Sequence, residues 1–328
     1  MRTRHQDDRG RHAEQPTDVP AKGWKDVLAR TRAEAKQDNV TLLAAGVAFY
    51  ALLALVPALV ALVSAYGLVA DPSEVEEQVS ELLGAAPAEV RDLVTSQLRS
   101  ITEDAQTAVG LAAIISLVVA LWSASSGVKN LIAAINAAYD EDETRGFVKL
   151  RTVSLIFTLG AVVFLVASFF LIAFLPSLLA DTGLGDVARA LVGALRWVAL
   201  LVGMMVALSL LYRYGPDRDN AKWTWVSPGA IVATLLWLAA SALFAVYTGN
   251  FGQYNETYGS LGAVVVVMLW LYLSALAVIL GAELNAELER QTVMDTTEGR
   301  PSPMGGRGAT AADTLGPTAE ELRRARRS

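Results

Sequence analysis

The feature that most constrains this chain is a succession of apolar runs of membrane length, parted by short charged clusters. At 1.5 Å per residue, a helix needs roughly 20 apolar residues to cross the ~30 Å hydrocarbon core. Only helices and closed barrels satisfy their backbone polar groups there. The runs lie at about 41–69, 107–139, 152–179, 187–212, 227–249 and 259–289. With 53% hydrophobic and 18% charged residues over 328 positions, the chain is also too apolar for an ordinary soluble domain. The fold class expected is all-α: a polytopic integral membrane protein with six transmembrane helices and both termini inside.

Charge placement sets the expected orientation. The first connection is rich in Asp and Glu and has only Arg91 and Arg99 as basic residues, so it is expected outside. Arg213, Arg218 and Lys222 mark a later connection as inside. Arg189 and Arg196 oppose this topology, and Arg196 is expected to snorkel beside Trp197 at the outer interface. Within the first outer loop, apolar residues at helical spacing on either side of Pro87 predict two amphipathic helices over about 72–103. Residues 1–20 are polar and aperiodic and are expected to be a disordered tail. Over 21–38, Trp24, Val27, Leu28 and Thr31 recur among Lys25, Arg30, Arg32 and Lys36, which predicts an amphipathic juxtamembrane helix. The membrane domain is then 39–290, and the Gly-, Pro- and Thr-rich stretch 291–328 is expected to be a disordered cytoplasmic tail.

Several chemistries are excluded by composition. No Cys is present, and His5 and His12, the two histidines, both lie in the polar N-terminal stretch. No catalytic, cofactor-binding or metal-binding residue is therefore expected, and the protein is not expected to be an enzyme. A net charge of −6 argues against nucleic acid as a partner. No nucleotide-binding loop occurs, so any coupling to ATP would need a second protein. The N-terminus lacks an apolar core, and no cleaved signal peptide is expected. The partners expected are membrane lipids, with a homo-oligomer or an envelope protein partner as further options.

What remains for function is a small set of polar groups at the ends of the spans. Lys129 in the second run and Glu283 in the sixth reach similar depth on the same side by helix rise. They are expected either to pair or to snorkel separately to the headgroups. Asn130, Asn136, Asn285 and Glu287 would complete a polar inner mouth with them. On the other side, Asn250, Gln253, Tyr254, Asn255 and Tyr258 form a polar corner, read either as a hydrogen-bonded interfacial turn or as an outer gate. Pro57, inside the first run, is read either as a packing kink or as a hinge.

Five stretches carry a family resemblance: AGVAFYALLALVPALVAL from Ala45, LWSASSGVKNLIAAINAAYDE from Leu121, LLYRYGPD from Leu210, SPGAIVATLLWLAASALFAVY from Ser227, and YGSLGAVVVVMLWLYLSALAVILGAELNAE from Tyr258. In order, and spanning Trp24 to Arg290, they resemble the YihY/BrkB family of bacterial inner-membrane proteins. The resemblance implies a six-span, multi-pass plasma-membrane protein. Members of that family are linked to virulence or serum resistance and to envelope lipid export. The resemblance brings no agreed catalytic residues, and the family's ribonuclease label is regarded as mistaken. The function expected is transport or export of a lipid or other amphiphile, with a non-transporting envelope scaffold as the alternative.

Overall fold

A computed structural model describes residues 8–66, 111–175, 186–249 and 260–325. Its long helices are α1 (Ala21–Gln37), α2 (Val40–Tyr66), α3 (Leu111–Ala138), α4 (Phe147–Phe169), α5 (Asp186–Tyr214), α6 (Trp223–Gly249) and α7 (Ser260–Glu289). Two short helices, α8 (Thr310–Asp313) and α9 (Ala319–Ala325), follow. The protein is all-α, with one isolated antiparallel bridge between Ala221 and Thr297. The five helices α3 to α7 are long and apolar enough to cross a membrane. A sixth span results if α1 and α2, which meet at a 62° bend, are taken together. That bend falls at Asn39, whose φ of 52° lies in the left-handed region that Asn tolerates. The expected outer helices over 72–103 lie outside the described residues.

Two helix starts differ from the sequence expectation. The third span begins at Phe147, not near residue 152, because no breaker follows the extended cap Gly146 and two cations do not stop a helix. Arg151 therefore lies inside the helix. The fifth begins at Trp223, so Pro228 sits within α6 and not at its first position. Likewise, α2 runs through Pro57 as one helix, and the sharp bend of this region is at Asn39.

Packing is uneven. Helix α7 packs most extensively on α6 and α2, and α2 on α3, so these four form the centre. Their shared core uses small residues, among them Ala44, Ala134, Ala230, Ala233, Ala275, Ala282 and Ala286, around Ile135, Ile279 and Tyr212. Lipid tails give no net hydrophobic drive between helices, so association depends on close van der Waals approach, which alanine permits. Helix α4 lies on α3 and α5 on α6, while α4 and α5 touch each other little. Very little of α4 and α5 is buried.

One end of the bundle is closed by a polar cap, and here the expectation of two disordered tails is corrected. Residues 8–20 and 291–325 are folded against α1, α7 and the connections between spans. Val293 N–H donates to the Arg11 carbonyl at 2.8 Å, and Gln291 Nε2 to the Arg9 carbonyl at 2.6 Å. Thr292 Oγ1 donates to the Ala13 carbonyl at 2.8 Å. Buried Arg307 donates to the carbonyls of Val293, Met294, Ser302 and Ala312. Gly, Pro and Thr in this stretch serve turns and side-chain-to-backbone bonds, which is why composition alone suggests disorder.

Candidate functional site

The C-terminal two turns of α7 are the hub of the polar end. From Gly281 to Glu289 every residue is buried, although three of them are glutamates. Such a segment needs a partner for each polar group, because an unpaired buried one is costly. Asn285 supplies the clearest example. Its Oδ1 accepts from Gly229 N–H at 2.7 Å, and its Nδ2 donates to the Val226 carbonyl at 3.0 Å. Pro228 has no N–H and disturbs the α6 ladder at this point. Asn285 thus clamps the α6 backbone on both sides of Pro228. The two helices touch backbone to backbone beside this latch. A Cβ on Gly229 would overlap the Gly281 carbonyl oxygen, and one on Gly281 would lie 2.5 Å from the Tyr212 hydroxyl. That hydroxyl donates to the Val278 carbonyl at 2.8 Å.

The glutamates are held by arginines from other elements. Glu287 pairs with Arg30 of α1 and, at 2.6 Å, with Arg290. Arg30 also donates to the carbonyls of Glu287 and Pro317, tying α1, α7 and the C-terminal segment together. Arg290 continues to Asp140. Glu289 accepts both terminal nitrogens of Arg218, at 3.1 and 2.7 Å, and the Thr296 hydroxyl at 2.6 Å. Around the connection after α3, Arg145 and the Asn136 amide hold Glu143, and the Arg145 hydrogen bond draws its carboxyl below the usual range. For Asp217, burial acts upward but is outweighed by Thr144, which donates both N–H and hydroxyl. Burial pushes Glu141 up, against the opposing hydrogen bond from Thr310 N–H.

The expected inner mouth divides into separate places. Asn136, Asn285, Glu283 and Glu287 are buried at the polar end. Lys129 is exposed on α3, and no ion pair between it and Glu283 occurs among the described residues. The physical reason is helix face: Glu283 points inward toward Asp38, Glu34 and Glu287, and one of its oxygens has no hydrogen-bond partner. Asn130 only donates back to the Ser126 carbonyl, one helical turn away. Asn136 instead joins Glu143 to the backbone N–H of Asp217 at 2.9 Å. The outer corner Asn250–Tyr258 lies outside the described residues.

Two arginines stand apart from this network. Arg151 in α4 is 9% exposed, stacks 3.9 Å from the Trp122 ring centroid, and donates to the Trp122 carbonyl at 2.7 Å and to Ser126 Oγ at 3.3 Å. No acidic side chain lies against it among the described residues, and its Nε has no partner. Arg196 in α5 reaches the Ile172 carbonyl at 3.5 Å beside Trp197, again with no acidic partner among the described residues and with Nε unpaired. Ile172 lies in a π-helical turn, Phe170–Phe174, that ends α4. From Arg151 to Ile172 the helix rises about 31 Å, close to the hydrocarbon thickness. The sequence places Arg196 beside Trp197, but its apolar run from residue 152 starts one position after Arg151 and so gives that arginine to the preceding loop.

No group of three or more His, Cys, Asp or Glu suited to a metal ion occurs among the described residues. The family described as Virulence factor BrkB matches residues 31–304. Among curated proteins, "Putative ribonuclease-like protein YfkH" of Bacillus subtilis (strain 168) is 31% identical over 179 residues, 53% of this chain and 65% of that protein. "UPF0761 membrane protein PSHAa0171" of Pseudoalteromonas translucida (strain TAC 125) is 27% identical over 270 residues, 80% of this chain and 85% of that protein. The match thus spans just under two thirds of the Bacillus protein. No solved structure gives a significant match.

Proposed function

The chain belongs to the family of the virulence factor BrkB, a multi-pass plasma-membrane family, and on that premise we propose that it moves a lipid or other amphiphile between leaflets of that membrane. In this reading it has six spans, with the polar cap on the cytoplasmic side, where Arg213, Arg218 and Lys222 cluster. The observation that carries the reading is the pair of uncompensated arginines: Arg151 near the start of α4, and Arg196 of α5 beside the turn that ends α4. A cation in a spanning helix is costly unless something neutralises it, and a lipid headgroup is the anion available at both depths. The weakly joined α4 and α5 give such a molecule a lateral route past a centre that the Asn285 latch keeps fixed.

A second reading, an envelope scaffold without a transported substrate, is favoured by the exposed apolar surface of α5, including Leu191, Leu195, Val198 and Val202. A second protein could cover that face. The hydrolytic activity in the printed name of the Bacillus relative finds little support, since His12 is the one histidine among the described residues and no metal-suited cluster is present there.

Proteoliposomes carrying a fluorescent phospholipid test the transport reading, with and without a proton gradient. Transport predicts movement faster than in protein-free vesicles and loss of that movement in Arg151→Gln and Arg196→Gln at normal incorporation. Movement no faster than the background under every gradient would count against it and leave the scaffold reading.

A further inference from the structure

We propose that the α3–α4 surface around Arg151 at the polar end binds the phosphate of an anionic phospholipid, with Arg151 as its central cation. Such a site serves the transport reading above and rests on it for its role, although not for its existence.

The argument starts from an imbalance of charge. Buried arginines elsewhere in the described protein have carboxylates: Arg30 has Glu287, Arg218 has Glu289, and Arg213 has Glu298. Arg151 is also largely buried, at 9% exposed, yet its polar contacts are the carbonyl and hydroxyl of α3, both neutral. Carbonyl contacts and stacking on Trp122 orient the guanidinium without neutralising it. Five N–H donors in a planar fork match a phosphate, and two remaining contacts cannot use them all. Its Nε also has no partner, as is the case for Arg213, so the lack of a carboxylate is what sets Arg151 apart among the buried arginines of the described residues.

The surroundings match a lipid and not a soluble anion. Arg151 lies in the second turn of α4, about 6 Å along the axis from Phe147, the first residue of the helix. That places it near the headgroup level at the polar end. On α3, exposed Lys129 follows Ser126 by three residues and so shares its face one turn toward that end. In the other direction along the same stripe lie Trp122, Val119, Val118 and Ile115, all exposed. A cation and a hydroxyl at interface depth, continuing into an exposed apolar stripe, suit a molecule with an anionic head and acyl chains. Inorganic phosphate would use the first part and gain nothing from the second.

The test uses the full-length protein in mild detergent, with bound lipid counted by native mass spectrometry. Phosphatidylglycerol and phosphatidylcholine are offered separately, each with and without millimolar inorganic phosphate. The expected result is at least tenfold tighter retention of phosphatidylglycerol, a loss of about tenfold in Arg151→Gln, partial recovery in Arg151→Lys, and little competition by inorganic phosphate. Arg151 packs on Trp122, so Arg151→Gln is read beside Lys129→Gln, which changes an exposed side chain and is expected to weaken retention several-fold without altering thermal stability. Equal retention of the two lipids overturns the proposal. Unchanged retention in folded Arg151→Gln, or in Lys129→Gln should Arg151→Gln not fold, also overturns it, and so does full displacement by inorganic phosphate. Lipid bound at this site but not moved in proteoliposomes would reject transport while leaving the site in place.

Discussion

Replacing Asn285 by Ala tests the idea that the α6–α7 junction is fixed by one side chain. The substitution removes two hydrogen bonds and leaves Gly229 N–H and the Val226 carbonyl without their α7 partner. At the average found for hydrogen bonds inside membrane proteins, about 0.6 kcal/mol each, the loss would be only ~1 kcal/mol. At the full cost of leaving a buried group unsatisfied, ~1–3 kcal/mol each, it would reach ~2–6 kcal/mol. Asn285 is 0% exposed, and the backbones beside it are in contact, which limits access for a replacing water. The separated helix α6 would, however, also carry the break at Pro228, which moderates the difference. The balance is ~2–3 kcal/mol, measurable as a shift in equilibrium unfolding by SDS in mixed micelles. Pro228→Ala restores the missing N–H, so Asn285→Ala should cost less in that background than in the parent protein. A cost below ~0.5 kcal/mol, or the same cost in both backgrounds, would refute the reasoning.

Arg30→Gln leaves Glu287 buried with one cation fewer and removes the bond to the Pro317 carbonyl. It should destabilise by about 3–5 kcal/mol and speed limited proteolysis within residues 291–325. Gly281→Ala pushes a methyl group into the Tyr212 hydroxyl and the Gly229 carbonyl. It should lower the thermal midpoint, and Tyr212→Phe should not restore it, because the backbone clash remains. Glu143 has its carboxyl held below the usual range first by the Arg145 hydrogen bond, so the folded state binds that proton less readily than the unfolded chain. Its contribution is fully present above the ordinary carboxylate range and is lost as pH falls through the depressed value. Glu143→Gln should therefore flatten the acid limb of a thermal-stability profile, with little change in the slope near neutral pH.

The spans were legible because hydrocarbon thickness and helix rise leave few alternatives for long apolar runs. Asn285 and Glu287 were legible as unusual polar residues at the end of such a run, but their partners were not. Depth along parallel helices suggested Lys129 for Glu283, whereas helix face decides the contact, and Lys129 faces outward. Arg30 and Arg218 read as ordinary basic flanks, and nothing in their local pattern shows that they fold back on Glu287 and Glu289. Arg151 was missed through a boundary. A run defined by its first uncharged residue excludes the charge just before it, although the helix begins at Phe147 and Arg151 is its first buried residue. The terminal segments were misjudged because their order comes from long-range bonds between distant residues, such as Thr292 to Ala13, which composition does not encode.

The most direct test of lipid movement is a leaflet-resolved phospholipid analysis of living cells lacking this protein, since the native energy source is then present whatever it is. Deletion should shift anionic phospholipid toward the cytoplasmic leaflet. The wild-type gene should restore the distribution, and Arg151→Gln and Arg196→Gln, at wild-type abundance, should not. An unchanged distribution after deletion, or full restoration by the variant lacking both arginines, would contradict the transport account.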